Sequence, residues 1–386
     1  MNICFHTFGC RLNRAEALDE EAAYIERGWH VTPNHSDADM IVVRCCAVTR
    51  RAQRECEKLI DHIKRKYPNK RLKICGCTTL KEKNPLPEPQ SKAVSVRTSR
   101  AYLKVQDGCA GKCTFCIVPK FRGTSQSLDF TELLDKAKRF IDAGYHEIVV
   151  TGCNLSLFAS HSKRLPELLS SLASLDENCR IRLGSLEPSN VSLETLNAIS
   201  ENKNICRYLH IPIQSGSNKV LIAMRRPYLL KDVENIILHA KKLMPGIALG
   251  CDLMTGFPGE SDLDFQLTKL LLKKSGIPHA HVFPYSEREG TLAATYPDSV
   301  PKEIRHFRAR QLSLIGKSNL EHYAKSFISK TVDVLIEDEK AKAGWTQEYL
   351  WCSPIDKHHP MKVERKKITK FKILESSSGE IKGIIV

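Results

Sequence analysis

The first 77 residues alternate two periodicities. Apolar runs NICFHTF, ADMIVVRC and RLKICG have the length and β-branched content of buried strands. Between them lie two stretches with helical spacing, RAEALDEEAAYIERGW and a basic segment from about Val48 to Lys66, with Asn13 offering an N-cap for the first. This order predicts a small parallel sheet. From Ala101 to Ser286 the alternation resumes in the strand-like runs AYLKVQD, EIVVTG, IRLGSL, YLHIPIQ, IALGCDLMTG and HAHVFPYS, each but the last followed by a helix-like segment. Such a series predicts an open (β/α)6 barrel with its active groups at the C-terminal ends of the strands.

The intervening TTLKEKNPLPEPQSKAVSVRTS is Pro-rich, charged and poor in large apolar residues, and reads as a linker. A basic helix from Pro301 to Ser329 precedes a return of β-branched alternation in TVDVLIED, EYLWCSP, MKVERKKITKFKIL and EIKGIIV, which predicts a small all-β barrel. The expected architecture is α/β, with a parallel-sheet domain over residues 1–80, a linker over 81–100, the barrel and following helix over 101–329, and the β-barrel over 330–386.

Composition narrows the chemistry. The 386 residues carry a formal net charge of +15, which suits a polyanionic partner such as nucleic acid. The fifteen cysteines are odd in number, and no apolar run is long enough to span a membrane, so a reducing cytoplasm with cysteines serving as metal ligands is expected. Cys109, Cys113 and Cys116 follow the first barrel strand in C-x3-C-x2-C spacing. Three thiolates on one tight loop suit three irons of a 4Fe-4S cube and leave the fourth iron open. A zinc loop or three core thiols is the competing reading of the same spacing. Cys10, Cys46 and Cys77 end the three N-terminal strands, where ligands of open parallel sheets gather. They can hold a second cluster or be buried thiols that happen to coincide.

The cluster loop, with Phe115 before its last cysteine, resembles the radical S-adenosylmethionine superfamily. FGCRLNRAEA around Cys10, RCCAVTRRAQRE around Cys46 and ICGCTTL around Cys77 resemble the three cysteine motifs of the methylthiotransferase family, as do LHIPIQSGSNKVLIAMRRPY and HVFPYSEREGT. The resemblance implies two 4Fe-4S clusters, selects Cys46 over Cys45 and Cys77 over Cys75, and assigns catalysis to both trios. It implies that S-adenosylmethionine on the open iron yields a 5'-deoxyadenosyl radical, and that Phe115, Thr151, Gly152, Glu187, Gln214, Ser215, Met254 and Gly256 contact this cofactor. The C-terminal module resembles the TRAM RNA-binding domain; its basic segment Lys357–Lys372, with Phe371, suits phosphate contact and stacking. Arg225 and Arg226 are read as phosphate-gripping or as solvated surface charge.

Leu12, Asn13 and Glu16 after Cys10 resemble the branch acting on N6-threonylcarbamoyladenosine at position 37 of tRNA, so an anticodon loop is the implied partner, with a flavodoxin or ferredoxin as electron donor. The alternatives are the isopentenyladenosine branch of the family and an RNA-binding iron-sulfur protein without turnover.

Overall fold

The computed structural model describes residues 1–46, 50–77, 93–356 and 362–386. Strands β1 (Asn2–Thr7), β2 (His30–Val31), β3 (Met40–Cys45) and β4 (Arg71–Gly76) form one parallel sheet in the order β2-β1-β3-β4. Alternation along the strands sends Ile3, Met40 and Val42 toward helix α1 (Arg11–Glu26), and Cys4, Ile41 and Val43 toward α2 (Arg50–Lys66). Helix α1 begins earlier than its sequence pattern suggests. Cys10 takes the N-cap backbone position, and Asn13 is buried within the helix, where its Nδ2 donates to the carbonyls of Phe8 (3.0 Å) and Cys45 (2.7 Å). Cys45 is joined by a disulfide to Cys56 of α2 across 5.8 Å between Cα atoms, so this pair is a core staple rather than a ligand set.

Most of the expected linker, residues 78–92, lies outside the described residues. Its end packs firmly, with the Ser95 hydroxyl donating to buried Glu21 at 2.7 Å.

Six parallel strands follow: Ala101–Lys104, Glu147–Thr151, Arg180–Leu183, Tyr208–Gln214, Ala248–Thr255 and His279–Pro284. They pair as two three-stranded sheets joined by bridges from Ile181 to Ile205 and from Ser185 to His210, which makes an open curved wall. Its helices bury one large apolar core running from Ala101 to Leu312. The inner face is charged at its lower end. Arg182 and Glu147 form a fully buried pair at 2.7 Å, and Tyr349, from the C-terminal module, stacks under the guanidinium at 4.3 Å. The Tyr349 hydroxyl accepts from Arg11 (3.0 Å) and Arg100 (2.8 Å), so a single ring plugs the lower mouth and ties all three parts together.

The long helix Lys302–Lys325 leads to a closed five-stranded barrel of Thr331–Asp338, Ala343–Trp345, Trp351–Pro354, Glu380–Ile385 and Ile368–Ser377 in that spatial order. Phe371 is wholly buried in its core beside Val334 and Ile373, which corrects the expectation that this ring is available for stacking on a base. Residues 357–361 of the same basic segment lie outside the described residues. Among the described residues, no helix is long and apolar enough to cross a membrane.

Candidate active site between two cysteine trios

The loop after Ala101–Lys104 brings Cys109, Cys113 and Cys116 together. The Gly111 amide donates to Cys109 Sγ at 3.3 Å, and a side chain on Gly111 would crowd the sulfurs of both Cys109 and Cys113. Burial pushes the Cys113 thiol up and takes Cys116 up to about 11, with Glu187 and Cys109 adding to the first rise and Cys113 and Cys109 to the second. Arg226 opposes it: its guanidinium donates to Cys113 Sγ at 3.0 Å and is held by both oxygens of Glu187 at 2.6 Å. Thiols crowded in this way lose their protons most readily to a cation, and soft sulfurs from one loop fit an iron-sulfur cube.

The second trio sits where β1, β3 and β4 end. Gly9, at φ +92°, turns the chain so closely past Cys46 that any side chain there would overlap its sulfur. Cys77 is buried, and burial pushes its thiol up; Arg122 acts against this, while Cys10 is near enough to add to it. Nε of Arg122 donates to Cys77 Sγ at 3.0 Å. Arg122 ends the short helix Val118–Arg122 that begins two residues after Cys116, so one side chain spans from the first trio's loop to the second trio. Its other nitrogens reach Asn13 (2.7 Å), Glu16 (2.9 and 3.1 Å) and Asp107 (3.0 Å). Burial would raise Glu16, but hydrogen bonds and charge from Arg122 and Lys104 outweigh it and keep the carboxyl below its usual range.

A cavity of about 790 Å3 opens beside Cys116, with Phe115, Gln214, Met254 and Tyr285 on its wall. The buried Gln214 Oε1 and Tyr285 hydroxyl have no hydrogen-bond partner among the described residues. Two such orphaned atoms in an otherwise largely apolar cavity fit a polar ligand with a flat apolar part, as S-adenosylmethionine is. The remaining residues expected at this cofactor are placed differently. Thr151 ends its strand, and Gly152 packs against Gln106, which braces the base of the cluster loop through Gly108. Glu187 pairs with Arg226. Ser215 is buried against Thr268 (3.2 Å) and receives the Ser217 amide (3.2 Å), and Gly256 abuts Arg305 while its amide donates to Glu260.

Arg226, half of the RR pair after the Asn218–Ala223 helix, is therefore bound to a carboxylate and a sulfur, which corrects its reading as a phosphate grip; Arg225 is exposed. Sequence reasoning also missed the barrel's inner row. Asp252 lies on the cavity wall and meets His210 at 3.2 Å and His281 at 3.4 Å, from the two flanking strands. Burial would raise Asp252, but hydrogen bonds from both imidazoles hold it well below the usual carboxylate range. Period-2 alternation from Tyr208 to His210 and from His279 to His281 carried this signal.

An open six-stranded parallel wall with a three-cysteine loop at its C-terminal edge defines the radical S-adenosylmethionine class, and residues 103–272 match the model of the Radical SAM superfamily. Residues 2–96 match the Uncharacterized protein family UPF0004. The chain is 30% identical to threonylcarbamoyladenosine tRNA methylthiotransferase MtaB of Bacillus subtilis over 90% of its own length and 89% of that protein's. It is 29% identical to tRNA-2-methylthio-N(6)-dimethylallyladenosine synthase of Methylacidiphilum infernorum, covering 88% and 85%. It belongs to the methylthiotransferase family of radical S-adenosylmethionine enzymes, which modify tRNA. The fold also resembles the methyltransferase TsrM from Kitasatospora setae at TM-score 0.52 and 12% identity, over 73% of this chain and 72% of that one.

Proposed function

We propose that this enzyme replaces the hydrogen on carbon 2 of N6-threonylcarbamoyladenosine, at position 37 in a tRNA anticodon loop, with a methylthio group. Cys109, Cys113 and Cys116 would hold one 4Fe-4S cluster and Cys10, Cys46 and Cys77 a second. The observation that carries the reading is Arg122, which runs from the loop of one trio to a sulfur of the other and so ties the two together.

When bound, the clusters and S-adenosylmethionine supply one-electron chemistry that breaks a C–H bond too weakly acidic for any base, together with the sulfur that takes the hydrogen's place. The chain's own groups bind, orient and exclude water. Glu187 fixes Arg226, and Arg226 fixes Cys113. Phe115 and Ile117 wall the cavity on the Cys116 side; Gln214 Oε1 accepts from a cofactor ammonium or hydroxyl, and the Tyr285 hydroxyl serves its carboxylate or ribose. Met254 lines the same cavity, and the cofactor's reach is proposed to extend to the Thr151–Gly152 backbone, Glu187, Ser215 and Gly256, which lie off the cavity wall. Arg288 and His306 also line the cavity and suit the carboxylate of the threonylcarbamoyl group.

An unpaired anticodon-loop purine enters such a cavity without melting a duplex. Arg180, Lys203, Lys367 and Lys370 line a groove at the C-terminal barrel together with Asp176, Glu177 and Asp333, and its four cations are the proposed contacts to phosphates of the bound tRNA. We further assign residues 1–80, 101–329 and 330–386 as the functional units, the cytoplasm as the compartment and a flavodoxin or ferredoxin as the electron source.

The test is anaerobic reconstitution with iron and sulfide, followed by turnover with tRNA carrying either threonylcarbamoyladenosine or dimethylallyladenosine. Methylthiolation of the first alone supports the proposal. Reaction of the second alone assigns the chain to the other branch, and iron binding without cofactor cleavage makes it an RNA-binding iron-sulfur protein.

A further inference from the structure

A third group of metal-ligating side chains lies apart from both trios and from the cavity. Cys4 and His6 alternate along β1 on its α2-facing side, and His35 comes from the connection after β2. Cys4 Sγ is 3.5 Å from His6 Nε2, which is 2.5 Å from His35 Nε2; the three ligand atoms lie within 4.8 Å of one another. Cys4 is buried, while both imidazoles are half-buried and open toward solvent.

We infer that Cys4, His6 and His35 form a site for a borderline-soft divalent cation, Zn2+ above all. The donor chemistry excludes the hard cations, which take oxygen ligands. Bond lengths of about 2.3 Å to sulfur and 2.0–2.1 Å to nitrogen put tetrahedral S and N ligands about 3.6 Å apart, close to the Cys4–His6 separation here. The His35 ring, on a connecting segment, opens by somewhat under 1 Å to reach the matching N–N distance of about 3.3 Å.

Binding releases the Cys4 thiol proton, now directed to the Pro33 carbonyl at 3.7 Å, to solvent. The fourth position is left to water; His62 and Lys66 of α2 are near enough to act on His35, Lys66 lies over the Tyr67 ring at 5.6 Å, and Lys70 donates to the Ser36 carbonyl beside it. A filled site staples β1 to the segment after β2, steadying the strand that leads into Cys10. The inference is independent of the proposed tRNA substrate.

The test uses the full chain with its iron-sulfur clusters loaded, equilibrated with zinc and freed of excess. Metal analysis is expected to give about one zinc per chain, and absorption at the zinc edge a shell of one sulfur with nitrogens or oxygen. Iron does not contribute at that edge, so the clusters do not interfere. Cys4→Ala and His35→Ala are each expected to lose at least tenfold of the zinc with iron content unchanged. Chelation should lower the Tm of the wild-type chain but not that of His35→Ala, which keeps the test valid even if Cys4→Ala fails to fold. No zinc in the wild-type protein, a four-sulfur shell, or equal zinc in His35→Ala would overturn the site.

Discussion

Arg122 Nε donates to Cys77 Sγ at 3.0 Å, and this contact joins the loop of one cysteine trio to a member of the other. The same guanidinium is clamped by Asn13 and Glu16, so the N-x-x-E pattern that follows Cys10 has a physical role: it holds the arginine that faces Cys77. Replacing Arg122 by Ala should reduce methylthio transfer about 10–100-fold, the usual effect of losing a neighbour that orients a metal ligand. Formation of 5'-deoxyadenosine should persist, because the first trio keeps its own arginine. Lysine would restore the charge but not the planar fork, so Arg122→Lys should recover little. The check is the ratio of deoxyadenosine to modified nucleoside.

The partner relationship at the first trio predicts the opposite defect. Glu187→Gln removes the charge that steadies Arg226 beside Cys113, and Arg226→Ala removes the contact itself. Both should lower cofactor cleavage by about 10–100-fold, with Arg226→Ala the more severe since it leaves the Glu187 carboxylate buried and unpaired. Single-turnover measurement of deoxyadenosine, without tRNA, reads this directly. Loss of tRNA binding instead would return Arg226 to a phosphate-contacting role.

Tyr349 alters how the C-terminal barrel must be tested. Deleting residues 330–386 would pull this ring from beneath Arg182 and expose a buried charge pair, so a deletion confounds RNA binding with stability. Charge reversals at Lys367 and Lys370, on the groove shared with Arg180 and Lys203, avoid this. The double Lys367→Glu, Lys370→Glu variant should weaken tRNA binding and flatten its salt dependence by about one to two phosphate contacts. Cofactor cleavage without tRNA should stay unchanged.

His279 sets a pH window for stability. Burial pushes it down to about 4, against the hydrogen bond of its ring to the Glu348 carbonyl at 3.0 Å, and the nearby His281, His210 and Arg182 act in the same direction as burial. Between the ordinary value near 6.5 and about 4 the unfolded chain binds a proton that the folded chain excludes. Stability is therefore full above pH 6.5 and declines as pH falls through this window, by up to about 3 kcal/mol. His279→Gln keeps a hydrogen-bond donor and should flatten that decline in denaturant titrations at pH 4–7.

Much of this was legible because periodicity and cysteine spacing are local signals. The six barrel strands were read from alternation, and the strands β1, β3 and β4 end one to three residues before Cys10, Cys46 and Cys77. What escaped depends on contacts between distant segments. Asn13 read as a cap because Asn favours caps, yet tertiary bonds to Phe8 and Cys45 hold it inside α1. Phe371 read as a stacking ring because its neighbours in sequence are basic, but alternation turns it inward while Lys370 and Lys372 face out. Arg226 was visible as a charge but its partners were not, because Cys113 and Glu187 lie far from it in sequence, and the roles of His210, Asp252 and His281 appear only when their three strands lie side by side.

The most direct test of the central claim is mass spectrometry of tRNA nucleosides from cells lacking this gene, with the wild type and Cys46→Ala returned on a plasmid. The account predicts that the methylthio group disappears from threonylcarbamoyladenosine, returns with the wild type and stays absent with Cys46→Ala. Undiminished methylthiolation of that nucleoside in the deletion strain, or full rescue by Cys46→Ala, would contradict it.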